Sequence, residues 1–359
     1  MTAEHRKNIF IRADGNARIG AGHLMRCLTI ADALNCRDRV CFWCADEESA
    51  ELARQRGYEA VPLGTDYRDM LSELPKLEEL QAGRDRGTQT IPQTILVDSY
   101  YVSAAYLQAL RAFGRVLLLE DVPGRSWPVD GVINYNAFAE EEIYRAVYEQ
   151  CGDVRWYIGA AYVPLRPSFA GRDYQVREQV QELLVTTGGG DQENIAGKLL
   201  EVLEDTTYII HVVSGPYNPH RTWLDHYAQE HPRVVVHRQV TEMAELMLQC
   251  DLAVTAGGTT IYELCALGVP FVCFSYAENQ EALVDYAGRQ GIGLDAGKYH
   301  HDPAGTLKNI GRLARQAAAD VQQRREMSRR AAELVDGRGA DRLAEALLAW
   351  AGKRQGTGN

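Results

Sequence analysis

Residues 8–34 read NIFIRADGNARIGAGHLMRCLTIADAL, a β-type run that leads through a glycine-containing loop into a helical pattern. The same transition from strand to helix recurs along the chain. Strands that alternate with helices form parallel sheets joined by right-handed crossovers. This stretch therefore predicts the first βα unit of a Rossmann-like α/β domain.

The alternation occurs in two series, which predicts two domains. The β-type runs are 8–14, 39–45, 94–100, 115–121 and 131–136 in the first series, and 182–188, 207–214, 233–239, 251–257 and 270–276 in the second. A chain of 359 residues is also longer than one typical core supports. Pro164 and Pro167 break regular structure between the series, so the predicted domains are 1–166 and 167–359. We expect these two Rossmann-like domains to face each other across an interdomain cleft.

Two further segments have a distinct composition. Residues 81–93 are predicted to form an exposed, polar insertion. Residues beyond 300 are predicted to form a charged helical tail of the second domain, whose last helix, near 340–350, packs on a domain through Leu343, Leu347 and Trp350.

Composition argues against several classes of function. A formal net charge of −11 is poorly suited to a nucleic-acid backbone, so no nucleic-acid partner is expected. The sequence has no run of 18 apolar residues that would indicate a membrane span, and residues 1–8 lack the apolar core of a signal peptide.

The eight cysteines lie mostly in apolar segments, which favours free thiols in the cytoplasm. Cys41 and Cys44 form a lone C-x-x-C without a second pair, so no metal is expected there.

The loop after the first strand is a candidate ligand site, because open α/β folds bind ligands at the carboxyl edge of the sheet. Gly20 and Gly22 would let the backbone approach a ligand closely. The loop is not a dinucleotide fingerprint, since Met25 occupies the position of the third glycine. An oxidoreductase is therefore a distant alternative, and no cofactor is predicted.

His23 is the candidate base. It lies at the expected start of the first helix, where the positive end of the helix dipole disfavours an imidazolium ion. A neutral ring could accept a proton, and Asp14 could orient it. The alternative interpretation is a histidine that belongs to the helix end and has no chemical role.

The second series contains a glycine-rich loop, TTGGGD, at residues 186–191. Gly188 and Gly189 follow a strand and precede a helix, an arrangement that suits a phosphate or ribose contact. A flexible loop without a ligand fits the same pattern.

A third segment, AGGTTIYEL at residues 256–264, ends another strand and begins a helix. The helix N-terminus after Gly258, with the hydroxyl groups of Thr259 and Thr260, can hold a diphosphate without a cation. Glu263 lies one turn later and could accept hydrogen bonds from both ribose hydroxyls, although a helical glutamate is usually only solvated. These segments contain no D-x-D motif that would bind a diphosphate through a metal.

The order of these motifs resembles a known superfamily. Residues 256–280 resemble the nucleotide-binding half of glycosyltransferase-B enzymes, and are most similar to relatives of the lipid II-forming N-acetylglucosaminyltransferase, which share E-L-x-x-x-G-x-P and a later N-Q. The run 12–34 resembles more specifically the UDP-2,4-diacetamido-2,4,6-trideoxy-β-L-altropyranose hydrolases of pseudaminic acid synthesis. Other matches follow in order: Asp98-Ser99-Tyr100, Asn134-Tyr135-Asn136-Ala137, Gly159, Tyr162, Leu165, Arg166, and Gly188 to Asp191. The resemblance covers roughly residues 8–295.

This resemblance implies a metal-independent cytoplasmic hydrolase of a small-molecule UDP-sugar, without a membrane or nucleic-acid partner. It implies that His23 is the catalytic histidine, Tyr100 an active-site tyrosine and Glu263 the ribose ligand, with Asn279 and Gln280 near the sugar and diphosphate. The full predicted substrate-binding set is Arg12, Gly20, Gly22, Asn136, Tyr162, Arg166, Gly188, Gly189, Gly258, Thr259, Thr260, Glu263, Asn279 and Gln280.

In the implied reaction, His23 removes a proton from water as the water attacks the anomeric carbon, and the configuration inverts. An inverting glycosyltransferase of the same fold is the alternative. It would need a basic or apolar acceptor surface, whereas the segment within residues 60–80 is acidic. A nucleotide-sugar-binding protein without turnover also stays open.

Overall fold

The computed structural model describes residues 8–16, 18–84, 93–122, 124–215 and 217–352. Within these ranges the chain divides into two compact units, each built on a parallel sheet. Of the predicted insertion at 81–93, residues 85–92 lie outside the described ranges, and residues 81–84 continue a helix.

The first unit contains a sheet of seven described strands in the order β3-β2-β1-β4-β5-β6-β7. In chain order they are β1 (Ile9–Ala13), β2 (Val40–Cys44), β3 (Glu59–Pro62), β4 (Thr94–Asp98), β5 (Arg115–Leu119), β6 (Gly131–Asn134) and β7 (Arg155–Ile158). Every residue of β1, β2 and β4 is buried, as expected for central parallel strands covered on both faces. The strand order reverses direction between β1 and β4, and such a switch point is where open α/β sheets bind ligands.

The second unit contains a sheet of six described strands in the order β10-β9-β8-β11-β12-β13. They are β8 (Glu182–Thr186), β9 (Ile209–Ser214), β10 (Val234–Arg238), β11 (Leu252–Ala256), β12 (Phe271–Ser275) and β13 (Leu294–Lys298). Here the switch point lies between β8 and β11. The two glycine-rich segments predicted to bind phosphate follow these two strands directly.

Helices connect most of the strands. They are α1 (Gly22–Ala33), α2 (Glu47–Gln55), α3 (Leu74–Arg84), α4 (Ala104–Leu110), α5 (Glu141–Tyr148), α6 (Ile195–Val202), α7 (Arg221–Glu230), α8 (Met243–Gln249), α9 (Thr259–Leu267), α10 (Glu278–Gln290), α11 (Pro303–Ala319), α12 (Val321–Leu334) and α13 (Gly339–Gly352). Short 3₁₀ turns occupy Arg37–Arg39, Met70–Glu73, Ala160–Tyr162 and Pro167–Phe169. The two predicted βα series are confirmed, and all ten predicted strands are present.

The domain assignment of the C-terminal tail is corrected by the structure. The first unit ends at Pro164, close to the predicted join, but it also includes the described residues from Arg338 to Gly352. Helix α13 packs on α1 of the first unit, and Leu343, Leu347 and Trp350 are buried there. The apolar face was visible in the sequence, but the surface that covers it belongs to the first unit and not to the second. No helix in the described ranges is long and apolar enough to cross a membrane.

Candidate active site

A pocket of 220 Å³ lies at the switch point of the first unit, where the chain leaves β1 and β4. It is lined by Asp14, Arg18, Ile19, His23, Tyr67, Asp98, Ser99, Tyr100 and Tyr101. The loop after the first strand, singled out from the sequence, therefore forms part of a concave surface.

The Asn16 side chain shapes the loop between β1 and α1. Its Oδ1 accepts hydrogen bonds from the backbone amides of Arg18 at 2.9 Å and Ile19 at 3.2 Å. Gly20 donates its amide to the Asn16 carbonyl at 2.9 Å and has a φ of +76°, a left-handed conformation that glycine adopts without strain. This closed turn delivers the chain to the start of α1 at Gly22.

His23 is the second residue of α1, so its predicted place at the helix start is confirmed. Its Nδ1 lies 2.6 Å from Oδ1 of Asp98, at the end of β4. An ionised carboxylate accepts hydrogen bonds but cannot donate them. A neutral His23 that donates through Nδ1 therefore has Nε2 available as a base.

Arg26 keeps Asp98 ionised. Its Nε and Nη2 each donate to the Asp98 carboxylate at 2.6 Å, a two-point pairing that is stronger than a single hydrogen bond. Burial favours the neutral acid, but the charge and hydrogen bonds of Arg26 outweigh it and lower the pKa of Asp98 to about 2. Because Asp98 is only 1% exposed, this anion is held rigidly behind the imidazole.

Arg26 also links His23 to Tyr100. Its Nη1 lies 3.1 Å from both carboxylate oxygens of Asp121 and donates to the Tyr135 hydroxyl at 2.7 Å. The Tyr100 hydroxyl donates to Asp121 at 2.9 Å, and its ring meets the His23 ring edge-on with 4.5 Å between centroids. The structure thus brings the predicted pair His23 and Tyr100 together.

Two predicted roles in this region are corrected. Asp14 does not orient His23, because its oxygens bind the Ala45 amide at 2.7 Å and Nη1 of Arg12 at 2.5 Å. Arg12 cannot contact substrate in this structure, because it is fully buried and also paired with Glu73. A buried guanidinium requires carboxylate partners, and Asp14 is one of them. The carboxylate that contacts the His23 ring is that of Asp98 instead.

The other predicted residues of the first unit divide into two groups. Gly20 is exposed on the loop and Gly22 at the start of α1, and Asn136 approaches the Asp121 carbonyl with its side-chain amide at 3.4 Å. Tyr162 lies elsewhere, in a 3₁₀ turn with its ring centroid 5.5 Å from that of Tyr157, and it does not line the pocket.

In the second unit, the loop after β8 exposes Gly188 and Gly189. Gly188 has a φ of +86°, and Asp191 anchors the start of α6 by accepting the amides of Ile195 at 2.6 Å and Ala196 at 3.0 Å. The loop is therefore held in place where it enters α6, whereas Gly188 and Gly189 are exposed.

The loop after β11 is held closely against α10. A Cβ on Gly257 would lie 2.8 Å from Cγ2 of Val284 and 2.9 Å from Cβ of Gln280, so only glycine fits. No side chain caps the start of α9 after Gly258, which leaves the amides of Thr259 and Thr260 available to an anion, whereas the Ile261 amide donates to the Gly258 carbonyl at 3.0 Å. Thr259 is exposed and Thr260 half-buried at this end.

Four further predicted residues lie in the same unit. Gln280 accepts the Tyr276 amide at 3.0 Å, and Asn279 is exposed in the first turn of α10. Glu263 is half-buried on α9; burial raises its pKa to about 7, although Arg166 opposes this shift. Arg166 itself donates to the Thr241 carbonyl at 3.2 Å.

Known proteins resemble both the sequence and the fold. Residues 182–337 match the Glycosyltransferase family 28 C-terminal domain. The spore coat polysaccharide biosynthesis protein SpsG of Bacillus subtilis is 26% identical over 95% of this chain and 97% of its own length. The UDP-2,4-diacetamido-2,4,6-trideoxy-beta-L-altropyranose hydrolase of Campylobacter jejuni is 22% identical over 80% of this chain and 98% of its own.

Among solved structures, MurG of Acinetobacter baumannii matches 96% of this chain and 99% of its own, with a TM-score of 0.64 and 14% identity. The chain therefore has two Rossmann-like units of the glycosyltransferase-B fold, and the match to the Glycosyltransferase family 28 C-terminal domain lies within the second unit.

Proposed function

We propose that the chain hydrolyses a UDP-linked 2,4-diacetamido-2,4,6-trideoxy sugar to UDP and the free sugar, as a step in nonulosonic acid synthesis. The 2.6 Å contact between His23 and a buried, ionised Asp98 is the observation that carries this proposal. It supplies an oriented base on the wall of a pocket. The Campylobacter relative, whose name describes this activity, supports the choice of substrate class.

In this proposal the nucleotide binds to the second unit. The open amides at the start of α9, with the hydroxyls of Thr259 and Thr260, receive the diphosphate. Gly188 and Gly189 are exposed and allow a close backbone approach to it. The Glu263 carboxylate accepts hydrogen bonds from the ribose hydroxyls.

In the same proposal, the sugar binds in the pocket of the first unit that His23 lines. Nε2 of His23 takes a proton from water while the water oxygen forms a bond to the anomeric carbon. The bond from that carbon to the diphosphate oxygen breaks, and UDP leaves with the electron pair. Asp98 stabilises the imidazolium that forms. Direct attack by water requires no covalent intermediate, so the anomeric configuration inverts.

Charge on the departing diphosphate is stabilised by backbone amides aimed at it. We therefore expect EDTA to leave the rate of UDP release unchanged. We place the reaction in the cytoplasm, because the eight cysteines are free thiols and most of them are buried.

An inverting glycosyltransferase is the second candidate, favoured by the family 28 domain at residues 182–337. Incubation with the UDP-sugar alone separates the two. A hydrolase releases UDP and free sugar at its full rate without any acceptor. Negligible release that is restored by an added acceptor would instead identify a transferase.

A further inference from the structure

A second group of chemistry-bearing side chains lies in the second unit, next to its edge strand β13. Glu281 follows Gln280 in α10, but its carboxylate contacts the segment after β13. His300 Nε2 lies 2.9 Å from Oε1 of Glu281, and His301 Nε2 lies 3.8 Å from the same oxygen. One ligand atom from each of these three residues lies within 4.8 Å of the others.

The turn that carries the two histidines is fixed on both sides. Tyr299 is 1% exposed and donates its amide to the Ser275 carbonyl at 2.7 Å. The amides of His301 and Asp302 both donate to the Lys298 carbonyl at 3.1 Å, and the Asp302 side chain caps α11 through the Gly305 amide at 2.9 Å. The imidazoles are thus placed beside Glu281 by packed backbone.

We propose that Glu281, His300 and His301 bind a divalent transition-metal ion of the Zn²⁺ class. Two imidazoles and one carboxylate form a ligand set that zinc uses in proteins, with the fourth position left to water. Tetrahedral ligands about 2.0–2.1 Å from zinc are about 3.3 Å apart. The distances from Glu281 Oε1 to the two histidine nitrogens, 2.9 and 3.8 Å, lie on either side of that value. All three ligand atoms lie within 4.8 Å of one another, so side-chain rotations can bring them to tetrahedral spacing.

Lys298 modulates this site. Its ammonium group bonds to the other carboxylate oxygen of Glu281 and lies 3.7 Å from Oδ2 of Asp285. This leaves Oε1 directed at the histidines, but the positive charge opposes a second cation. Removing the charge in a Lys298→Gln protein is expected to tighten metal binding.

A metal ion bound to these three side chains would connect α10 to the turn before α11. It would stabilise the second unit, because the metal binds the folded state. The inference rests on this cluster alone and does not depend on the proposed hydrolysis.

Calorimetric titration of the EDTA-treated full chain with Zn²⁺ tests the site, together with the visible spectrum after Co²⁺ addition. Both use a Cys151→Ser background, because Cys151 is exposed and its thiol could bind zinc independently. We expect one ion per chain and a Co²⁺ spectrum without thiolate charge-transfer bands. His301→Ala, at a side chain that is 60% exposed, should weaken binding at least about tenfold without unfolding the protein.

His226→Ala is the matched control, because His226 is an exposed histidine on α7 outside the cluster. It should bind Zn²⁺ like the parent protein. Equal affinities for the parent, His301→Ala and His300→Gln proteins would overturn the proposal, as would the absence of saturable binding to the parent.

Discussion

At the scale of single residues, the candidate site depends on how His23 is held. Asp98 lies behind one ring nitrogen, and Arg26 keeps that carboxylate charged through two hydrogen bonds of 2.6 Å. The imidazole therefore has one nitrogen committed to the protein and one available to water. The contribution of the Asp98 carboxylate to turnover can therefore be measured separately from that of His23.

Replacing Asp98 with asparagine should lower the turnover number on the order of 10²-fold or more, because the ring would lose both its orientation and the anion that stabilises imidazolium. Steady-state release of UDP measures this effect. Ser99→Ala is the control, since Ser99 lines the same pocket but its hydroxyl accepts only the nearby Tyr101 amide at 3.1 Å among the described contacts. Equal turnover in the Asp98→Asn and Ser99→Ala proteins would contradict the orienting role.

Ionisation of Glu263 should make both the stability of the protein and its affinity for UDP depend on pH. Burial raises the pKa of Glu263 from 4.5 to about 7, so the folded protein holds this proton more tightly than the unfolded chain does. The free energy of unfolding should therefore fall as the pH rises from about 4.5 to 7. A Glu263→Gln protein should be more stable than the parent at pH 8, on the order of 1 kcal/mol, with no such gain near pH 4.5.

The same substitution should weaken UDP binding at pH 8, because the ribose hydroxyls would lose a charged acceptor. Urea denaturation at the two pH values and calorimetric titration with UDP measure the two effects. Tighter UDP binding by the variant would rule out the ribose contact.

The site residues differ in how far the sequence could predict them. His23 follows from its place after the first strand. Asp98 is 75 positions away in the chain, and only the parallel pairing of β1 with β4 brings it to the ring. Asp14 is nearer to His23 in sequence, and its predicted role was wrong because its carboxylate pairs with Arg12. The burial of Arg12, which makes this ion pair necessary, cannot be predicted from the local sequence.

At the scale of elements, burial explains which strands could be predicted. The ten predicted strands are mostly buried apolar runs. The three that were missed, β3, β7 and β13, all lie at a sheet edge and are partly exposed, and none contains the run of about four or more apolar residues that indicates a buried strand.

The contact between the β11 loop and α10 yields a paired prediction. Gly257→Ala would place a methyl group against Val284 and Gln280 and displace α10, at a cost of about 1–3 kcal/mol. It should also weaken UDP binding, since Gly257 leads directly into the start of α9, where the diphosphate is proposed to bind.

Gly258→Ala is the matched control. Its Cβ would meet no atom within 4 Å, and its φ of 175° is extended backbone open to any residue. Thermal unfolding should separate the two proteins, and UDP titration compares Gly257→Ala with the parent, because Gly258 itself belongs to the proposed diphosphate site. The prediction fails if both substitutions have the same effect.

At the scale of the whole molecule, the chain completes its first unit with its last helix. The Trp350 ring lies on Gly131, where an added Cβ would be 2.8 Å from it, and only 2% of the residue is exposed. The sequence shows that α13 has an apolar face. It does not show which unit covers that face, because either domain could offer an apolar surface.

Trp350→Ala should therefore destabilise the first unit by about 3–5 kcal/mol while the second unit still binds UDP. Hydrogen exchange resolved by segment measures the first effect, and calorimetry the second. Trp223→Ala, at a 37% exposed position on α7, should leave exchange in the first unit unchanged. Faster exchange confined to the second unit in Trp350→Ala would refute the assignment of α13.

The most direct test of the central claim is hydrolysis of the UDP-sugar in H₂¹⁸O by the parent and His23→Asn proteins. If His23 activates water toward the anomeric carbon, the parent releases unlabelled UDP, and the inverted anomer appears first by NMR. The His23→Asn protein should still bind the UDP-sugar but release UDP about 10²–10⁴-fold more slowly. Label in the β-phosphate of UDP, or near-normal turnover by His23→Asn, would contradict the account.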